Sequence, residues 1–170
     1  QHGGVLPGTK VTEEIAEARG IPVGETCFSP AAHTAFSTPK GLMDFVADLR
    51  ELSGGKPVGM KLCVGNRWEV LAICKAILET GIRPDFIVVD GAEGGTGAAP
   101  AEFMDHIGAP LRQGLVLVRN ALGGCDLTQH VRLAASGQQI SAFSMAASMA
   151  LRADWINTAR GFMFSLVCIH

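Results

Sequence analysis

The residues best suited to chemistry follow four apolar segments of the chain. These segments are typical of buried strands, whereas the residues directly after them are polar or rich in glycine, at 61–64, 90–96, 136–138 and 158–161. In folds built from parallel strands and crossover helices, binding and catalytic groups lie just beyond the carboxyl ends of the strands. We therefore expect these four sets of residues to meet at one edge of a sheet.

Lys61 lies near the carboxyl end of the first segment, PVGMKLC. An unpaired ammonium is costly to bury, so this side chain must reach a partner or the rim of the sheet. In one interpretation Lys61 is a cation directed at an anionic ligand or a flavin ring. In the other it is a rim lysine paired with Asp90 or Glu93, and the spacing alone leaves both open.

A long glycine-rich loop, GAEGGTGAAP at 91–100, follows the second segment. Its glycines permit close approach of the backbone to a ligand and positive φ angles, while Thr96 adds a hydroxyl and Glu93 a carboxylate. The loop is not a dinucleotide-binding GxGxxG turn, because no helix begins directly after it, and it lacks the GK[ST] of a P-loop. Long loops at strand ends are typical of binding sites, with a flexible crossover as the alternative.

Two later turns also come directly after predicted strands. They contain Ser136-Gly137-Gln138 and Ala159-Arg160-Gly161. Each turn precedes a predicted helical segment, so backbone N–H groups and the positive end of a helix dipole converge there. This arrangement predicts a phosphate site, which barrels favour after their last two strands. The alternative is two ordinary strand–helix turns.

The periodicity around these residues predicts alternating strands and helices. Thr38 can cap a helix that Pro39 opens, and apolar positions 42, 45, 46 and 49 give it one buried stripe. Further helices are predicted at 12–19, 66–80, 111–122 and 140–151, strands at 58–63, 85–90, 131–136 and 155–158, and a last segment at 162–169. Four strand–helix units indicate parallel strands, either in an open doubly wound sheet or in half of a (β/α)8 TIM barrel.

The 170 residues have the composition of one α/β domain, with a loop-rich part at 1–37 and a helix followed by four strand–helix units at 38–170. With 48% hydrophobic and 18% charged residues, the chain is not disordered. A net charge of −2 argues against a nucleic-acid partner. No apolar run reaches the ~18 residues of a membrane span, so we expect no membrane contact.

Five scattered cysteines without a CxxC pair predict free thiols in a reducing cytoplasm. Cys63 and Cys74 lie among apolar residues and are predicted to be core thiols. Nothing near Gln1 resembles a signal peptide. The chain begins without methionine and stops after an apolar stretch, which predicts that both ends were cut from a longer protein.

Five stretches resemble the FMN-binding domain of glutamate synthase, at 3–11, 29–39, 56–65, 84–100 and 157–169. The resemblance is strongest to the stand-alone bacterial FMN-binding glutamate synthase family, and it runs end to end in the same motif order. DGAEGGTGAAP is the most specific motif. The resemblance implies that the chain is a partial TIM barrel, namely the carboxyl-terminal half.

The same resemblance implies an oxidoreductase that carries FMN and an iron–sulfur cluster. Such an enzyme makes L-glutamate by hydride transfer from reduced FMN to 2-iminoglutarate, which derives from 2-oxoglutarate. The implied catalytic residues are Lys61, near the flavin and the substrate carboxylate, and Glu93. The implied substrate-binding residues are Gly94, Gly95, Thr96 and Gly97. The implied FMN-binding residues are Lys61, Ser136, Gly137, Gln138, Thr158, Ala159, Arg160 and Gly161.

Some residues depart from what the resemblance leads us to expect. Cys168 resembles the first of three cluster cysteines spaced C-x5-C-x4-C, but the other two would fall after His170, and one thiolate cannot hold a cluster. Gln138 stands where a lysine is expected, and Gln139 where an aliphatic residue is expected. These departures leave an alternative: a truncated, non-catalytic α/β module for phosphate binding or oligomerisation.

A half-barrel would also expose two edge strands, which invite pairing with another chain. We therefore expect either a homo-oligomer or a partner that supplies the missing half of the barrel.

Overall fold

The computed structural model describes residues 4–30, 32–93, 102 and 106–167. The strands are β1 (Val5–Leu6), β2 (Cys27–Phe28), β3 (Gly59–Cys63), β4 (Phe86–Asp90), β5 (Arg132–Ser136) and β6 (Trp155–Ile156). The helices are α1 (Glu13–Arg19), α2 (Pro39–Leu52), α3 (Arg67–Thr80), α4 (Leu111–Gly124), α5 (Ala142–Ala150) and α6 (Arg160–Ser165). None of these described helices combines the length and the apolar character needed to cross a membrane.

Strands β3 to β6 form one parallel sheet in the order β3-β4-β5-β6. Helices α3, α4 and α5 connect successive strands, as parallel pairing requires. The predicted α/β alternation is therefore confirmed. Within the described residues the sheet is open, with β3 and β6 at its edges, and it does not close into a barrel.

Local capping signals define most helix ends. The Thr38 side chain accepts a hydrogen bond from the Gly41 N–H at the start of α2. Asn66 caps α3 in a reciprocal capping box with Glu69. Gly81 then ends α3 in the left-handed conformation, at φ 72°, which glycine adopts without strain.

Some predicted boundaries were wrong, and the amino-terminal region contains a pair of short strands that was not predicted. The helix predicted at 140–151 begins only at Ala142, because Ser141 and Ser144 form a capping box there. The last segment begins at Arg160, two residues before the predicted position. In the region predicted to be loop-rich, β1 and β2 pair antiparallel, and two residues are too few to make a visible alternation.

The two faces of the sheet have different surroundings. Ile87, Val89, Leu133 and Ala135 lie in the hydrophobic core formed with the helices. The alternate positions point to the opposite face, where Lys61, Val88, Ala134 and Trp155 lie side by side across the four strands. On this face the Phe86 ring meets the Trp155 ring edge-on, with centroids 5.5 Å apart.

Two aspartates stabilise the amino-terminal edge of the sheet in the same way. Asp85 donates its N–H to the Val58 carbonyl, and its carboxylate accepts the Val58 N–H at 2.7 Å. Asp154 does the same with both backbone groups of Leu133, accepting that N–H at 2.8 Å. Each carboxylate extends the hydrogen-bond ladder by one step, and each also pairs with an arginine, Arg50 or Arg132.

Asp85→Asn should destabilise the fold at neutral pH. Burial raises the pKa of the Asp85 carboxyl, but hydrogen bonds from Arg50 and from the Val58 N–H outweigh this and hold the pKa below its usual range. A carboxyl of this kind stabilises the fold above its unfolded pKa of about 4, and the contribution is lost as the pH falls further. We expect about 1 kcal/mol less unfolding free energy at neutral pH, measured by urea unfolding.

Glu79→Gln is the matched control, since Glu79 forms only surface pairs with Lys40 and Lys75, at 2.8 and 3.7 Å. It should cost less than Asp85→Asn at neutral pH. An Asp85→Asn deficit that stays constant as the pH is lowered well below the unfolded pKa of about 4 would contradict the assignment, because the contribution of a carboxyl with a lowered pKa is lost over that range.

Candidate functional site

The carboxyl-terminal edge of the sheet brings most of the predicted site residues together. Cys63, Asp90 and Ser136 are aligned across β3, β4 and β5. The Gly91 N–H donates to the Ser136 carbonyl at 3.0 Å, which continues the ladder beyond the strands. Two residues before Cys63, Lys61 projects from the same face of the sheet. The expected meeting of these residues at one edge is thus observed for 61–63, 90–93 and 136–138.

Lys61 is paired with Asp90. Its Nζ lies 2.6 Å from Asp90 Oδ2, and the two side chains are 59% and 27% exposed. Of the two carboxylates that the sequence offered, the lysine therefore selects Asp90 rather than Glu93. A pair this exposed contributes little to stability, so its main effect is to hold an ammonium at the edge of the sheet.

Glu93 lies at the start of α4. Both of its carboxylate oxygens accept the Leu111 N–H, at 3.1 and 3.0 Å. Pro110, at the N-cap position, offers no side-chain acceptor, so Glu93 supplies the missing cap and meets the positive end of the helix dipole. This structural role was not foreseen from the sequence. The catalytic role of Glu93 stays a prediction, and Gly94, Gly95, Thr96 and Gly97 lie outside the described residues.

Gly91 and Gly137 leave room for these contacts. A Cβ at Gly91 would overlap the Glu93 carboxylate. Gly137 has φ 111°, and a Cβ there would lie 3.1 Å from both Asp90 Oδ1 and the Gly91 nitrogen. The turn after β5 is therefore pressed against the end of β4, where a larger residue would be both crowded and strained.

The residues that directly follow the first predicted phosphate turn are in contact with the second turn. The Thr158 hydroxyl, after β6, donates a hydrogen bond to the Gln139 carbonyl, after β5. A Cβ at Gly161 would lie 2.8 Å from Thr158 Oγ1 and 3.5 Å from the Ile140 backbone. Turns 136–138 and 158–161 are thus joined through residues 139 and 140, and Arg160 adds a positively charged side chain to the second turn.

Gln139 is a residue that the sequence reasoning missed. Its side chain is buried, donates from Nε2 to the Gly137 carbonyl at 3.1 Å and accepts the Ser148 hydroxyl at 3.0 Å. This amide ties the Gly137 turn to α5. The signal in the sequence was a glutamine at an expected aliphatic position, because a buried amide is tolerated only when its hydrogen bonds are satisfied. Gln138, by contrast, is exposed and has φ 46°.

The prediction for Cys63 was wrong, whereas that for Cys74 is confirmed. Cys74 is buried in α3, and burial together with nearby Cys125 raises the pKa of its thiol to about 11. Cys63 is exposed, because it lies on the sheet face opposite the helices. Partial burial raises the pKa of its thiol, and the negative charge of Asp90 raises it further.

A groove of about 1050 Å³ lies between α3, α4 and α5. It is lined mainly by apolar side chains, among them Leu71, Val116 and Ala147. Its lining includes none of the predicted site residues, so the groove is separate from the strand edge.

No group of three or more His, Cys, Asp or Glu side chains that could hold a metal ion occurs within the described residues. Cys168 lies outside them.

Known proteins resemble this chain along its full length. A family model described as the conserved region in glutamate synthase matches residues 1–170. A glutamate synthase large subunit-like protein of Bacillus subtilis is 40% identical over 168 residues, which are 99% of this chain and 32% of that protein. An archaeal glutamate synthase [NADPH] of Methanocaldococcus jannaschii is 34% identical over 167 residues, 98% of this chain and 32% of that protein.

A ferredoxin-dependent glutamate synthase of Antithamnion sp. is 33% identical over 138 residues, 79% of this chain and 8% of that protein. The chain therefore belongs to the glutamate synthase family, as its motifs predicted. It spans about a third of the length of the B. subtilis and M. jannaschii relatives.

Asp90→Asn should make the Cys63 thiol more reactive. The carboxylate charge raises the thiol pKa, so its removal should lower that pKa and increase the thiolate fraction at a given pH. The rate of Cys63 alkylation by iodoacetamide, followed by peptide mass spectrometry against pH, should shift to lower pH in the variant. Alkylation of Cys27 serves as the internal control. Identical Cys63 profiles in both proteins would contradict the proposed influence of Asp90.

Proposed function

We propose that this chain is the carboxyl-terminal half of a (β/α)8 barrel that makes L-glutamate by hydride transfer from reduced FMN to 2-iminoglutarate, formed from 2-oxoglutarate. One observation carries the proposal: the Lys61 ammonium, paired with Asp90 at the end of β4, and the turns that follow β5 and β6 lie at the carboxyl-terminal edge of the parallel sheet. Membership of the glutamate synthase family supports the same reaction.

The two turns fit the phosphate group of FMN. Gly137 and Gly161 sit where a Cβ would fill the space between the turns and their neighbours. Without side chains at these points, backbone N–H groups remain able to face a ligand, and such groups bind phosphate where a strand leads into a helix. Ser136, Gly137, Gln138, Thr158, Ala159, Arg160 and Gly161 would hold the phosphate.

The chain's own side chains position the other reacting groups. Lys61 keeps a positive charge at the strand edge, fixed by its contact with Asp90. A preorganised cation of this kind binds a substrate carboxylate and stabilises negative charge as it develops. By capping α4, Glu93 fixes the start of the loop whose residues Gly94, Gly95, Thr96 and Gly97 would border the substrate. FMN, when bound, supplies the hydride.

The described residues offer no site for an iron–sulfur cluster. Among the described residues no suitable group of ligands occurs, and Cys168 alone supplies one thiolate where a cluster needs several.

FMN should perturb the two joined turns and riboflavin should not. In ¹⁵N-labelled protein titrated with FMN, we expect the amide signals of Gly137, Gln138 and Gly161 to shift. Riboflavin lacks the phosphate, so it should leave them in place. The assignment of the FMN phosphate to these turns would be wrong if both compounds gave the same shifts. It would also be wrong if the shifts occurred away from the carboxyl-terminal edge of the sheet.

Gly137→Asp should weaken FMN binding more than Gly137→Ala. Both substitutions add a Cβ at φ 111°, so they share the strain and the crowding, and only the first adds a negative charge beside the phosphate. The amide spectrum of each variant shows whether it folds. Equal FMN affinities for the two folded variants would contradict the location of the phosphate.

Lys61→Met should lower glutamate formation with little effect on stability. The measurement uses a chimera in which this chain replaces the matching residues of the M. jannaschii relative. Methionine keeps the length of the apolar stem, while the loss of one preorganised charge should lower turnover by roughly a hundredfold. Thermal unfolding should change little, because the Lys61–Asp90 pair is exposed. Unchanged turnover per folded molecule, with a lower melting temperature, would make Lys61 structural only.

A further inference from the structure

The carboxylate of Asp90 lies between the two parts of the proposed site. Its Oδ2 is 2.6 Å from Lys61 Nζ. Its Oδ1 faces the turn after β5, 3.1 Å from where a Cβ of Gly137 would be. Because Asp90 ends the central strand β4, its neighbours in the register are Cys63 on one side and Ser136 on the other. One carboxylate therefore meets both the lysine and the phosphate turn.

The Lys61–Asp90 ion pair contributes little to the stability of the fold. Lys61 is 59% exposed, and exposed pairs contribute little because solvent screens them and ordering the side chain costs entropy. Left unpaired, a lysine on a flexible four-carbon stem would occupy many conformations. Asp90 selects one of them, and it is the only carboxylate paired with Lys61 within the described part of the chain.

We propose that Asp90 is a positioning residue, which holds the Lys61 ammonium in a fixed relation to the Gly137 turn so that both act on one bound flavin. This inference rests on the proposed function, because it assigns Lys61 and the Gly137 turn to the same ligand. We expect Asp90 itself to contact neither the reacting atoms of the flavin nor its phosphate. It acts through Lys61, and this distinguishes it from a residue that merely supports the fold.

The contact between Asp90 and Lys61 can be tested without flavin. Contact with the Asp90 carboxylate restrains Lys61 Nζ and hinders the approach of a reagent, so Lys61 should react faster with acetic anhydride in Asp90→Asn than in the wild type. For a part-exposed pair the expected gain is about two- to fivefold, measured by peptide mass spectrometry. Lys56, which has no ion pair among the described residues, is the internal reference. Equal Lys61 rates in the two proteins would overturn the assignment.

A double-mutant cycle tests whether Asp90 acts through Lys61. FMN affinity is measured by amide-shift titration for the wild type, Asp90→Asn, Lys61→Met and the double variant. Relative to its effect in the Lys61→Met background, Asp90→Asn should weaken FMN binding about two- to fivefold when Lys61 is present, because only then does the carboxylate act through the ammonium. Equal weakening in both backgrounds would mean that Asp90 supports the turn directly, and the positioning role would be rejected.

Two further measurements separate a failure of the proposed function from a failure of the positioning role of Asp90. If wild-type protein gives no phosphate-dependent shifts, the proposed function fails, while the acylation rates still decide whether Asp90 holds Lys61. If Asp90→Asn does not fold, the wild type is acylated at rising salt concentration. Screening should then speed the reaction of Lys61 relative to Lys56, and a constant ratio would overturn the proposal.

Discussion

The parallel pairing of β4 with β3 and β5 is the constraint on which the rest of the structure depends. Lys61 lies opposite Val88, and Asp90, two residues further along β4, points to the same face. A slip of one residue would move either side chain to the helix-covered face. The register is fixed by the core side of the strand, where Ile87 and Val89 are buried against the helices. Burial of Ile87 and Val89 on one face of β4 thus fixes the register that brings Lys61 and Asp90 together on the other face.

The two edges of the sheet are built from different chemistry. At the amino-terminal edge, Asp85 and Asp154 satisfy backbone N–H groups and pair with arginines. At the carboxyl-terminal edge, glycine turns are packed tightly against the end of β4 and against each other's neighbours. This division matches α/β folds generally, in which one end of the strands contributes stability and the other binds ligands. It also places Asp85, directly before β4, and Asp90, at the end of β4, in different surroundings.

Much of the fold could be predicted because its signals are local. The caps at Thr38 and Asn66 and the buried run in β4 each depend on a few adjacent residues. The contacts that the sequence missed join distant segments. Glu93 caps a helix that begins 18 residues later, and Gln139 is satisfied by Ser148 and joined to Thr158. Predicting these contacts requires knowing where each turn lies in space.

A crystal structure of the chain with FMN would locate the phosphate group directly. We expect the phosphate between the turns at 136–138 and 158–161, with the rest of the cofactor extending toward Lys61. Phosphate bound instead at the amino-terminal edge, beside Arg50 or Arg132, would contradict the assignment of the carboxyl-terminal edge as the ligand-binding edge in this member of the glutamate synthase family.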